Sequence, residues 1–170
     1  MSRGIAHSLA KIFVTQNGNK VRVEMESAPD VSQEANFRPR KIAVIRKCSF
    51  VGPGTVITGM GSAYLLVLQD NLTQLNRFRA IEITDYLPWV RRMTRIDPVT
   101  RMERADRSID MQDTPLALVI EPMRLIKDQG IERPKVMIRT GADVRIGDFL
   151  GPYQVNAVTH ALGIKLLEVF

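Results

Sequence analysis

The sequence predicts a mainly β protein: a small antiparallel barrel or sandwich with one or two short helices and long loops. Two observations carry that prediction. Residues 143–170, DVRIGDFLGPYQVNAVTHALGIKLLEVF, hold three short apolar-alternating runs at 144–146, 153–158 and 164–170. Gly147-Asp148, Gly151-Pro152 and residues 161–163 separate them, and alternation punctuated by Gly, Pro and Asp marks short antiparallel strands joined by tight turns. The last run reaches the final residue, so it is expected to be paired rather than left as a free edge. The second observation lies at 20–26, where Val21, Val23 and Met25 alternate with Arg22, Glu24 and Glu26, the pattern of a half-exposed strand.

The remaining elements follow in chain order. Residues 2–14 place Ile5, Leu9, Ile12 and Phe13 at helix-like spacing, but so short a helix needs a packing partner to persist. The same region reads alternatively as a hairpin through Asn17-Gly18, with 12–15 as its first strand. Residues 27–40 are polar, include Pro29 and Pro39, and read as a long loop or reaching arm. Strands are predicted at 41–47 and 55–58 around the Gly52-Pro53-Gly54 turn, and at 77–84. Residues 63–75 fit either a buried strand or a helix start. Pro88 and Pro98 bracket an arginine-rich segment, and 91–109 is predicted as a second long loop or arm. Strands at 116–120 and 134–139 lie between prolines, which places them at edges or element ends. No internal repeat or low-complexity stretch interrupts a single β-rich domain over 1–170.

A chain of 170 residues with 45% hydrophobic and 25% charged residues can bury a core of its own. No apolar run approaches the roughly 20 residues of a membrane-spanning helix. The N-terminal segment is broken by His7, Ser8 and Lys11 and does not read as a secretory leader. Cys48 is the only cysteine, which excludes an intramolecular disulfide and a thiolate-cluster metal site and fits a reducing compartment. The net charge of +6 is uneven: residues 1–47 hold nine basic and four acidic groups, and 77–107 hold eight and five. Seventeen Arg stand against seven Lys. Arginine suits interfaces and phosphate contacts because its planar fork binds bidentately and sheds water readily.

The enzyme-like motifs are thin. Gly59-Met60-Gly61 after a short strand, with Glu82 about 20 residues on, imitates a dinucleotide-binding turn. Tyr64 occupies the third glycine position, however, and no alternation of strands and helices follows, so a hairpin turn is the expected structure. His7 and His160 are the only histidines, with no spacing that builds a triad or a metal site. No catalytic residue, metal ligand or cofactor is predicted.

The segment that points to function is 91–107. Arg91, Arg92, Arg95, Arg101, Arg104 and Arg107 surround the turn Asp97-Pro98-Val99-Thr100, with Asp97, Glu103 and Asp106 interleaved. Carboxylates oppose phosphate binding, whereas mixed Arg and acid beside Trp89, Met93 and Met102 matches a protein–protein interface. A solvated loop and a nucleic-acid contact remain open alternatives. Arg38 and Arg40, beside Phe37, join Trp89 and these arginines as candidates for a subunit interface or a DNA channel.

The turn at 97–100, a polar insertion, and then Gly147-Asp148-Phe149-Leu150 with Tyr153-Gln154-Val155-Asn156-Ala157-Val158 resemble small virion proteins of tailed bacteriophages. The group is that of the head-closure and head–tail connector (neck) proteins. These carry a D-P-x-T-G turn, and Arg101 here stands in place of its glycine. The resemblance spans about the C-terminal half. It implies a non-enzymatic structural subunit of the virion, assembled in the host bacterial cytoplasm as a homo-oligomeric ring in the neck or at an end of the tail tube. It implies portal, connector or tail-tube proteins as neighbours, non-specific contact with genomic DNA in the channel, and no membrane. From another class, the basic surface fits a nucleic-acid-binding β-barrel.

Overall fold

Six strands close into an antiparallel barrel in the first half of the computed structural model, which describes residues 10–27, 41–71, 74–110, 115–122, 126–128, 131–133, 136–161 and 163–169. The strands are β1 (Lys11–Thr15), β2 (Lys20–Ser27), β3 (Lys41–Arg46), β4 (Val56–Gly59), β5 (Ser62–Asn71) and β6 (Leu75–Glu82). Their order around the barrel is β1-β2-β3-β6-β5-β4, closed by β4 on β1 with Val14 opposite Thr58 and Thr15 opposite Ile57. Alternation decides which face is inside. Phe13 and Thr15, Val21 and Val23, Ala43 and Ile45, and Phe78 and Ala80 are buried while their neighbours point outward. At the β4–β5 hairpin Met60 (φ 57°) and Gly61 (φ 81°) are both left-handed, as a two-residue type I′ turn requires. The glycines at 59 and 61 thus serve a hairpin, as the sequence predicts.

The second half continues with β7 (Asp85–Leu87), β8 (Trp89–Ile96), β9 (Glu103–Asp110), β10 (Leu116–Pro122), β11 (Ile126–Asp128), β12 (Ile131–Arg133), β13 (Val136–Thr140), β14 (Phe149–Leu150), β15 (Tyr153–Ala161) and β16 (Ile164–Val169). Strands β11 and β12 form a hairpin of their own, and the rest make one sheet in the order β7-β10-β13-β16-β15-β14-β8-β9. Because β7 runs on into β8 across Pro88, this sheet curls back on itself. The Gly151 N–H donates to the Pro88 carbonyl at 2.9 Å. Trp89, Leu118, Ile138, Val144, Leu150 and Leu167 fill the space it encloses.

A third core joins the two sheets. On β10, Leu118 faces the curled sheet's interior and Val119 faces away. On β16, Leu167 faces in, and Ile164 and Leu166 face away. Val119 and Ile164 pack on Leu65, Val67 and Ile81 from the outer wall of the barrel. Each such buried aliphatic side chain contributes about 1.5–3 kcal/mol. At one end of this seam the barrel turn meets the sheet backbone to backbone: a Cβ on Gly141 would lie 2.1 Å from the Gly54 carbonyl oxygen.

Mainly β is the observed class. The short helices are not seen: the described residues contain none. Residues 11–15 are strand, because pairing with both β2 and β4 satisfies a backbone that one isolated helical turn could not. Residues 2–9 and 28–40 lie outside the described residues. Residues 62–71 are strand, with a bulge between Val67 and Gln69. Residues 91–109 are a β-hairpin rather than a long loop. Residues 144–146 are not strand either, because this stretch wraps around a carboxylate described next.

Candidate interface hairpin

Strand β8 is held at its foot and bare beyond it. Its first two residues pair with β14, Trp89 opposite Leu150 and Val90 opposite Phe149. From Arg91 onward its ladder partner among the described residues is β9 alone, with Arg95 opposite Arg104 and Ile96 opposite Glu103. The two strands therefore run out of the sheet as a hairpin.

The foot is organised by Asp148. Trp89 and Arg91, two apart on β8, share a face. Trp89 Nε1 donates to Asp148 Oδ2, Arg91 Nε to Oδ1, and Arg91 Nη2 to Oδ2, each at 2.9 Å. The Arg145 N–H also donates to Asp148 Oδ2, at 2.9 Å. Arg91 lies over the Trp89 ring, 5.3 Å from its centroid, a cation–π distance. Burial alone would raise the Asp148 pKa, but the hydrogen bonds from Arg91, Arg145 and Trp89 outweigh it and hold the carboxyl below its ordinary value. The same Asp148 hydrogen bond raises the Arg91 pKa.

Residues 143–148 close the other side of the foot. Arg91 Nη2 donates to the Asp143 carbonyl at 2.7 Å. Lys165 from β16 reaches Asp143 Oδ1 at 2.6 Å and the Val144 carbonyl at 3.0 Å. Arg145 Nη2 takes Asp143 Oδ2 at 2.9 Å. Lys165 first, then Arg145, pull the Asp143 pKa down to about 2.

The tip is a four-residue loop, 98–101, locked by Asp97. The Asp97 carbonyl accepts the Arg101 N–H at 2.8 Å, and the Asp97 N–H donates to the Met102 carbonyl at 3.0 Å. Asp97 Oδ1 accepts the N–H groups of Val99 and Thr100, at 2.8 and 3.2 Å, and these bonds lower its pKa. Asp97 Oδ2 pairs with Arg104 Nε at 3.2 Å. Arg101 takes φ +54°, the left-handed region that glycine fills in a D-P-x-T-G turn. Around this fixed loop three apolar side chains stand in solvent: Ile96 65%, Val99 89% and Met102 70% exposed.

The candidate residues thus divide. Trp89 is buried, 6% exposed, and Arg91 is committed to Asp148, so both act inside their own chain. Arg101 and Arg104 are exposed at the tip. Arg92 and Arg95 occupy β8 and Arg107 occupies β9. Arg38 and Arg40 lie outside the described residues. Sequence reasoning passed over Asp148 and Val99, read there only as turn residues, and Ile96, which carries no motif. Their signal is positional: an apolar strand end and an apolar turn residue beside Pro98, on a hairpin with no covering partner among the described residues.

Compared with models of protein families, with curated proteins and with solved structures, the chain matches none. Among the described residues, no group of three or more His, Cys, Asp and Glu side chains is placed to hold a metal ion, and no helix is long and apolar enough to cross a membrane.

Proposed function

We propose that the protein is a non-enzymatic structural subunit of a phage virion, assembling as a ring in the neck or at an end of the tail tube around the DNA channel. The observation that carries this reading is the hairpin: an arm tied at its foot to Asp148 and at its turn to Asp97, which presents Ile96, Val99 and Met102 exposed. Uncovered apolar side chains on a preorganised tip favour a partner surface over solvent, because the tip loses little conformational entropy on docking. The Asp97-Pro98-Val99-Thr100 turn and the late strand pair, where the sequence resembles neck proteins, direct the reading to a virion.

Light scattering and electron microscopy of the purified protein, alone and mixed with portal and tail-tube components, test it. Rings or stable complexes are expected. A monomer that joins none of these components overturns the reading, and nucleic-acid affinity that falls steeply with salt would favour the nucleic-acid-binding alternative instead.

A further inference from the structure

We infer that the β1–β2–β3 stretch of the barrel's outer wall holds the phosphate backbone of duplex DNA, through Lys20, Arg22 and Arg46. This rests on the ring-subunit reading and names the face that each copy turns to the channel. Phe13, Val21, Val23 and Ile45 point into the barrel, so the residues on either side of them point out. Arg22 and Arg46 each stand one residue beyond the Val23–Ile45 pair, on the same side of it, and are therefore neighbours on adjoining strands. Lys20 lies two residues from Arg22 on the same face, and all three are exposed.

Nothing in the fold calls for two arginines side by side. Like charges on adjoining strands oppose each other, and among the described residues Lys20, Arg22 and Arg46 form no ion pair. The carboxylates on these three strands are Glu24, which is half-buried, and Glu26, which pairs with Arg77 at 2.9 Å. Apolar side chains lie beside the cations: Ile12 opposite Arg22, Val14 opposite Lys20 and Leu75 opposite Arg46. Lys and Arg are the longer side chains, so their heads stand above this apolar floor and the surface a partner meets is cationic. A membrane needs the reverse, apolar side chains that reach past the charges. A run of phosphates answers three adjacent unpaired cations at once, with bidentate contacts to the arginines. No outward position on β1, β2 or β3 is aromatic, which leaves backbone contact to a duplex rather than base stacking on a single strand. Three phosphates per copy give a shallow salt dependence, a log–log slope of about −3. A closed ring repeats this weak contact around the duplex.

The test uses the full chain and a labelled DNA duplex of arbitrary sequence, read by fluorescence anisotropy across a salt series. Arg22→Gln with Arg46→Gln is expected to weaken binding about tenfold or more and to flatten the salt slope by about two. Arg101→Gln with Arg104→Gln removes the same charge from the hairpin tip and is expected to leave affinity within about twofold. Equal losses in the two variants would mean that net charge alone acts, and the inference fails. Arg46→Glu by itself sets a carboxylate beside Arg22, so it is expected to keep or raise the thermal midpoint while lowering DNA affinity. A fall in both would assign Arg46 to the fold and overturn the inference. If wild type assembles into rings but binds no duplex at low salt, the inference fails while the ring reading stands. If wild type stays monomeric with the virion components yet binds duplex through Arg22 and Arg46, the phosphate contact stands and the ring reading fails. Binding to anionic phospholipid vesicles in place of duplex would assign the wall to a membrane and overturn the inference.

Discussion

Arg91 and Asp148, fifty-seven residues apart in sequence, meet through two side-by-side hydrogen bonds of 2.9 Å with both side chains largely withdrawn from water. This pair carries the hairpin on the sheet. Removing one partner strands the other charge in a partly desolvated site, which costs about 3–5 kcal/mol where burial is complete. Asp148→Ala and Arg91→Met are each expected to lower unfolding free energy by roughly 3 kcal/mol. The double variant is expected to lose less than the sum. Urea titrations of the four proteins check this, and a simple additive result would deny the coupling.

The same carboxylates set the response to acid. The folded pKa of Asp148 and that of Asp143 lie below the ordinary carboxylate value, the latter at about 2. A depressed carboxyl contributes stability that is fully present above its unfolded pKa of about 3.9 and is lost as pH falls through the folded value. Stability is therefore expected to hold from neutrality down to about pH 4 and to decline from there toward pH 2. Carboxyl-carbon NMR titration is expected to place the Asp143 midpoint near 2. A midpoint at 4 would mean that Lys165 and Arg145 do not hold it in solution.

Alternation at β2, β3 and β16 and the turn residues at 17–18 and 59–61 made the β class readable from local sequence, because period-two burial and left-handed turns are local physics. The path of the chain was not local. Nothing within residues 11–15 announces that they pair with both β2 and β4, and the helical spacing there is overridden once Phe13 enters a closed barrel. Residues 103–110 alternate poorly because all but Ile109 are charged or small, so the hairpin was hidden until β8 supplied its partner. Arginine density pointed to the right segment of the chain. It could not separate Arg91, which faces Asp148, from Arg101, which faces solvent. That distinction depends on residue 148, far away in sequence.

Arg101 is a residue in a glycine's conformation. A left-handed backbone costs an L-residue about 1–2 kcal/mol, part of which glycine gives back through its freer unfolded chain. Arg101→Gly is expected to stabilise the protein by about 0.5–1 kcal/mol. In thermal unfolding this is a rise of a few degrees. No change, or a loss, would mean that the Arg101 side chain makes a stabilising contact that outweighs the strain.

Gly59 tests how tightly the barrel closes at β1. A Cβ there would lie 2.6 Å from the Phe13 ring, itself buried at the barrel's centre. Gly59→Ala must push that ring aside, at about 1–3 kcal/mol. Pairing it with Phe13→Leu is expected to restore part of the loss, which chemical denaturation can read. An equal or larger loss in the double variant would show that the ring is not what Gly59 accommodates.

At Gly141 no side chain can move out of the way. Its added Cβ would meet the carbonyl oxygen of Gly54 at 2.1 Å and the Gly54 Cα at 2.5 Å, all backbone, at the seam between barrel and curled sheet. Gly147 offers the contrast: φ is +88°, but a Cβ there would meet nothing within 4 Å. Gly147→Ala should therefore cost only the left-handed strain of about 1–2 kcal/mol. Gly141→Ala is expected to exceed that, at about 3 kcal/mol, because relief requires the two sheets to part and the packing of Val119 and Ile164 on Leu65 to loosen. Hydrogen exchange on Gly141→Ala should then show faster opening of β10 and β16 than of β2 and β3, since only the first pair lies at the seam. Uniform loss of protection across all four strands would mean that the barrel and the sheet unfold as one unit and that the seam has no separate weakness.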